Sequence, residues 1–259
     1  MRQQPYNIVI PARYASSRFP GKPLYRLNGI PMILHTARRA AESLADEIVV
    51  ATDDDRIAKV CLDAGLDVEM TLEEHPSGTD RIAEVAARRG WGDERIVVGL
   101  QGDEPATDPQ HLDLLASNLQ LHHDADMATL RMKIVSASDY YDPNRVKVVC
   151  DHRDMALYFS RATIPAQRES LLSNKPVLDA TLPDSWLHIG MYAYRCGYLG
   201  QYQKLCPCAL ELEEQLEQLR VMYHGGRIHV GQVQSSPSRG VDTPADVSVI
   251  EALLAAMHC

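Results

Sequence analysis

The residues best suited to chemistry lie between Ile8 and Leu24, in I-V-I-P-A-R-Y-A-S-S-R-F-P-G-K-P-L. An apolar run stops at Pro11. Three cations (Arg13, Arg18 and Lys22) and two hydroxyls (Ser16 and Ser17) follow it. Arginine presents a planar fork to phosphate or carboxylate, and lysine a point charge. Gly21 lets backbone approach a ligand closely, while Pro20 and Pro23 restrict the loop on either side. The chemistry suggested is anion binding, by side chains as much as by backbone; a solvated loop with scattered charge is the plain alternative. Two familiar phosphate loops are missing. A P-loop needs Gly and Ser or Thr where this chain has Ser16 and Pro23, and no G-x-G-x-x-G occurs among its 15 glycines.

Carboxylates form a second group. In Q-G-D-E-P, Asp103 and Glu104 follow Gly102. Adjacent acids beside a glycine suit Mg²⁺, which takes one or two carboxylates together with substrate phosphate oxygens. Asp242, in G-V-D-T-P, either caps the last helix or adds a second carboxylate to such a site. Asp53, Asp54 and Asp55 read most simply as caps and first-turn acids of a helix. In H-P-S-G-T-D-R (75–81), Pro76 and Gly78 bracket a turn, and Thr79 or Asp80 is expected to cap the helix that follows. The free N–H groups of that helix make this a second candidate ligand loop.

These loops need elements to hold them. Apolar runs alternate with helical patterns, which predicts an α/β fold with a largely parallel sheet flanked by helices. Strands are expected at 7–11, 47–51, 68–70 and 96–100, with helices at 31–45, 56–64, up to 88, and 109–122. Ligands of open α/β sheets bind just outside the carboxyl ends of strands, where the cationic loop and Q-G-D-E-P both fall. Strands are also expected at 126–132, 146–150 and 156–160. From about residue 136 the alternation fades, and 167–185 reads as an irregular insertion. A strand with a bulge at Gly190 is expected at 188–195. Residues 210–223 read as one strong helix whose acids form a solvated face, ended by Gly225-Gly226.

The chain has 259 residues, 45% hydrophobic and 24% charged, enough for a sizeable core and ordinary for a globular protein. A net charge of -9 argues against a nucleic-acid partner. No apolar run approaches the ~20 residues of a membrane span, and the N-terminus lacks an apolar signal region. Six scattered cysteines without C-x-x-C argue against a zinc ribbon or dithiol site and fit a reduced, cytoplasmic setting.

Taken together and in order, the cationic loop, H-P-S-G-T-D-R, Q-G-D-E-P, Y-F-S-R-A-T-I-P, H-I-G-M-Y-A-Y-R, L-E-Q-L-R and G-V-D-T-P resemble the 3-deoxy-manno-octulosonate (Kdo) cytidylyltransferases over nearly the whole chain. The resemblance implies a nucleotide-diphospho-sugar transferase-like fold: a single α/β domain over 1–259, mixed but mainly parallel in its sheet. Residues 136–210 would form a less regular dimerisation and sugar-side subregion of a homodimer. The implied reaction joins CTP and Kdo, a 2-keto-3-deoxy sugar acid, into CMP-Kdo and pyrophosphate with Mg²⁺, for lipopolysaccharide assembly. By motif, Arg13 and Lys22 would hold the triphosphate, with Ala12, Ser16 and Arg18 beside them. Ser77, Asp80, Arg81 and Gln101 would frame the cytidine. Asp103 and Asp242 would ligate Mg²⁺ and, with Arg13 and Lys22, carry catalysis. Arg161 would meet the sugar carboxylate, with His188, Tyr192, Glu211 and Glu214 near the sugar.

The chain departs from the family where Pro207-Cys208-Ala209-Leu210-Glu211 replaces P-S-P-L-E. That leaves open Kdo or its 8-amino analogue. Other readings are a sialic-acid cytidylyltransferase, an inactive nucleotide- or sugar-binding protein, or a nicotinamide oxidoreductase. The motifs argue against the first, the retained Arg13, Lys22, Asp103 and Asp242 against the second, and the missing glycine fingerprint against the third.

Overall fold

The computed structural model describes residues 5–15, 19–234, 240–241 and 243–257. Among them, the strands in chain order are β1 Tyr6–Ala12, β2 Arg26–Leu27, β3 Ile30–Pro31, β4 Glu47–Thr52, β5 Asp67–Met70, β6 Ile96–Gly99, β7 Met127–Lys133, β8 Lys147–Cys150, β9 Ala156–Ser160, β10 Trp186–Arg195 and β11 Ile228–Val233. The helices are α1 Met32–Ala41, α2 Asp55–Asp63, α3 Gly78–Arg88, α4 Pro109–Leu121, α5 Ala137–Tyr141, α6 Arg168–Ser173, α7 Cys196–Tyr202, α8 Ala209–Glu214, α9 Gln218–Tyr223 and α10 Val247–Met257.

The main sheet runs β11-β7-β10-β6-β1-β4-β5, with β8 and β9 attached through β10. β1 pairs in parallel with both β4 and β6, while β10 lies antiparallel between β6 and β7. The fold is therefore α/β with a mixed, mainly parallel sheet, as expected. Every residue of β1 is buried, because both faces are covered. Ile8 and Ile10 pack with Ile33 of α1 and Leu112 of α4 on one face, and Val9 packs with Ile82 and Val85 of α3 on the other.

From β1 the chain moves outward to β4 and β5, then returns to β6 on the opposite side of β1. The carboxyl ends of β1 and β6 therefore flank a topological switch point, where a crevice opens. The expected bulge in β10 is present as a register shift against β7 between Ile189 and Ala193.

Three local expectations change. Residues 210–223 form two short helices, because Gln215 adopts a left-handed conformation (φ 52°) between them. The insertion at 167–185 contains the short helix α6. Ser77, rather than Thr79 or Asp80, caps α3. Among the described residues, no helix is long and apolar enough to cross a membrane.

Candidate active site

Two cavities meet at the switch point. The first, about 270 Å³, is lined by Ala12 at the end of β1 and Arg13 after it, by Lys22, by the 75–78 turn with Arg81, by Gln101 to Asp103 after β6, and by Glu217. The second, about 450 Å³, lies along β10 and takes His188 to Tyr192, Tyr194, Asn144, Arg145, Glu104 and Gln215 to Gln218. Gly78, Gln101 and Glu217 border both.

The cationic loop is folded back on itself. Gly21 has φ 72°, and its N–H donates to the Tyr14 carbonyl at 3.0 Å. The positive φ favours glycine, and a Cβ there would also sit 3.0 Å from the Tyr14 ring, which would have to yield slightly. This turn starts the 3₁₀ segment Lys22–Leu24 and aims Lys22, 8% exposed, at Asp103, with which it forms an ion pair. Arg13 is exposed at the mouth of the cavity. Gly102 brings the second loop close: a Cβ there would lie 3.0 Å from the Pro11 carbonyl. The Val241 N–H donates to the Asp103 carbonyl at 2.9 Å, and Gly240 packs on the same residue. Ser16, Arg18 and Asp242 lie outside the described residues.

The 75–81 turn is held from behind. Ser77 Oγ accepts the Asp80 N–H at 3.2 Å and donates to the Asp80 carboxylate at 2.8 Å, so Asp80 faces the cap rather than either cavity. Arg81, 3% exposed, donates to Asp53 at 2.7 Å and to the Thr71 hydroxyl. Asp54, not Asp53, caps α2. His75 Nε2 donates to Glu84. Burial alone would raise the Glu84 carboxyl, but the bonds from His75 and the Leu72 N–H hold it below its ordinary range.

In the second cavity burial dominates. It drives the His188 imidazole down to about 3, so the ring is neutral at working pH. It lifts the Tyr192 phenol well above its ordinary value, with the Tyr194 ring adding to the effect. Neutral groups of this kind suit hydroxyls. Burial also raises the Glu217 carboxyl, against a hydrogen bond from Tyr202 that lowers it; the Asp80 charge pushes it further up.

The remaining residues expected near the sugar stand behind the wall. The Arg161 guanidinium donates to the carbonyls of Glu214, Pro143 and Gln215 at 2.6, 3.0 and 3.3 Å. Glu214 accepts from the Ser160 hydroxyl and the Arg161 N–H, and Glu211 accepts a two-pronged contact from Arg220 at 2.5 and 2.7 Å. These side chains are committed to protein partners and line neither cavity. Sequence reasoning missed Glu217, Gln218, Asn144 and Arg145. The L-E-Q-L-R motif was the available signal for the first pair.

A phosphate-scale cationic cavity, a carboxylate facing it and a hydroxyl-matched cavity next door, at the switch point of this sheet, define a nucleotidyltransferase. Residues 7–228 match the family described as cytidylyltransferase. The chain is 50% identical over 252 residues to the 3-deoxy-manno-octulosonate cytidylyltransferase of Alkalilimnicola ehrlichii, covering 97% of this chain and 96% of that one. It is 48% identical over 246 residues to the enzyme of that name from Pseudoalteromonas atlantica, covering 95% and 96%. A solved CMP:2-keto-3-deoxy-manno-octonic acid synthetase complexed with CTP superposes with a TM-score of 0.88 at 40% identity, over 98% of this chain and 100% of that one. The chain belongs to the 3-deoxy-manno-octulosonate cytidylyltransferase family.

Proposed function

We propose that this protein transfers the cytidylyl group of CTP to the anomeric hydroxyl of Kdo, giving CMP-Kdo and pyrophosphate. The observation that carries this reading is the pair of cavities with a common wall, one cationic and one matched to hydroxyls. Such a pair holds a nucleotide and a sugar side by side.

The attacking hydroxyl must approach a phosphorus surrounded by negative oxygens. At an effective dielectric near 20, a charge pair ~4 Å apart is worth about 4 kcal/mol, so unneutralised repulsion would be a serious barrier. Arg13 and Lys22, with Ser16 and Arg18 of the same loop, would hold the triphosphate and offset charge gathering on departing pyrophosphate. Ala12, Ser77, Arg81 and Gln101 would border the nucleoside, with Asp80 fixing the Ser77 cap. His188 and Tyr192 would face the sugar. Glu211 would hold Arg220, and Glu214 would hold Arg161, behind the sugar wall.

The donors fit a magnesium ion: Asp103 offers a half-buried carboxylate beside the phosphate cations, and Asp242 is its proposed companion. When bound, the ion would supply charge neutralisation on phosphate oxygens. The displacement is in line and direct, without a covalent enzyme intermediate.

A homodimer through 136–210 is part of this reading. It is supported by Leu157, Leu171, Leu172 and Leu178, which are exposed in that segment. The setting is the cytoplasm and lipopolysaccharide assembly. Pyrophosphate release from CTP, Mg²⁺ and Kdo tests the reaction. Release that depends on Kdo is expected; silence in protein shown to bind CTP would overturn it.

A further inference from the structure

The cationic loop is braced from a side that neither cavity reaches. Arg56, in the first turn of α2, holds its guanidinium over the Tyr14 ring, with Cζ 3.4 Å from the centroid. Its Nε and Nη2 donate to the Asp54 carboxylate at 3.0 and 2.6 Å. Asp54 is itself fixed, because it caps α2 by accepting the N–H groups of Arg56 and Ile57. Tyr14 carries the contact onward. Its carbonyl accepts the Gly21 N–H at 3.0 Å, and its ring lies against Gly21. Gly21 opens the 3₁₀ segment that presents Lys22 to Asp103. One chain of contacts thus runs from the cap of α2 to the Lys22 ammonium. Asp54, Arg56 and Tyr14 border neither cavity. The brace answers a physical need. Arg13 and Lys22 share one short loop, and like charges favour its opening. A guanidinium already neutralised by Asp54 can grip the Tyr14 face without adding to that repulsion.

We infer that Arg56 is a positioning residue for nucleotide binding: stacked on Tyr14, it holds the cationic loop in the geometry that receives the triphosphate. This rests on the proposed function, in which CTP occupies the first cavity. The Arg56–Asp54 pair alone, 59% exposed at the arginine, would contribute little to stability and nothing to the loop.

The test compares wild type with Arg56→Ala, Arg56→Lys, Tyr14→Leu, Tyr14→Phe and the double variant Arg56→Ala/Tyr14→Leu. Arg56→Ala should weaken calorimetric binding of CTP with Mg²⁺ about three- to tenfold, the scale of one cation–π contact. The KM for Kdo at saturating CTP should stay within about twofold. The thermal midpoint should stay within about 2 °C, since Arg56 is an exposed helix position and the Asp54 cap remains. Tyr14→Phe keeps the ring and should keep most of the affinity. Arg56→Lys keeps the charge but not the fork, and should recover only part of the loss. In the double variant the two losses should not add, because both remove the same contact. Amide exchange at Gly21, measured without nucleotide, should quicken by a similar factor in Arg56→Ala. That measurement judges the brace even where wild type fails to bind CTP, a result that would instead overturn the reaction. Unchanged exchange at Gly21, equal CTP affinities or additive losses overturn the inference. So does full recovery in Arg56→Lys, which would make the effect one of charge alone.

Discussion

Lys22 and Asp103 are 81 residues apart in sequence and in contact in space. Each was legible before the fold was known, because each follows an apolar run in a loop with its own glycine. Arg145 carried no such signal, and Glu217 only its place in L-E-Q-L-R. Beside Glu211, Glu213 and Glu214, Glu217 resembles one more acid of a solvated face, and only the packing shows that it enters a cavity. At this scale the expectation is that Lys22→Ala and Asp103→Ala each lower turnover by about a hundredfold or more, read by pyrophosphate release, with an unchanged far-UV spectrum. Asp242→Ala should fall equally if it is a metal ligand; full activity would make it only a helix cap.

Among elements, the expected helix 210–223 failed at Gln215, whose left-handed backbone ends α8 and re-aims the chain before α9. Periodicity could not reveal this, since the apolar pattern runs through the break. The junction has a purpose: Gln215 to Gln218 form cavity wall. The loop after β6 depends on Gly102, whose carbonyl also accepts the Thr36 hydroxyl at 3.1 Å. Gly102→Ala should cost about 1–3 kcal/mol of stability in denaturant unfolding and, by displacing Asp103, at least about tenfold in turnover. Ser77→Ala removes the cap of α3 and should cost about 1 kcal/mol, with weaker CTP binding by calorimetry.

For the whole molecule, the parallel half of the sheet was readable from strand–helix alternation, because each crossover is local in sequence. The strand order was not, since β10 enters between β6 and β7 by pairings far apart in the chain. The same long-range assembly buries His229, 4% exposed and stacked on His122 with ring centroids 3.6 Å apart. Burial, and then the His122 charge, lower the His229 imidazole from 6.5 to about 4. Its folded value is below its unfolded one, so the unfolded chain binds the proton first. The associated stability is full above pH 6.5 and is lost as pH falls toward 4, by up to about 3 kcal/mol. Thermal midpoints from pH 7 to 4 should fall more steeply for wild type than for His229→Gln; parallel slopes would remove His229 as the cause.

Gly78, Gln101 and Glu217 belong to both cavities, and a wall with two tenants cannot answer to one alone. With the nucleotide in the first cavity and the sugar in the second, as proposed, any rearrangement of Gln101 or Glu217 as nucleotide enters would change what the sugar meets. By thermodynamic reciprocity, whatever factor CTP contributes to the sugar's affinity, the sugar returns to CTP.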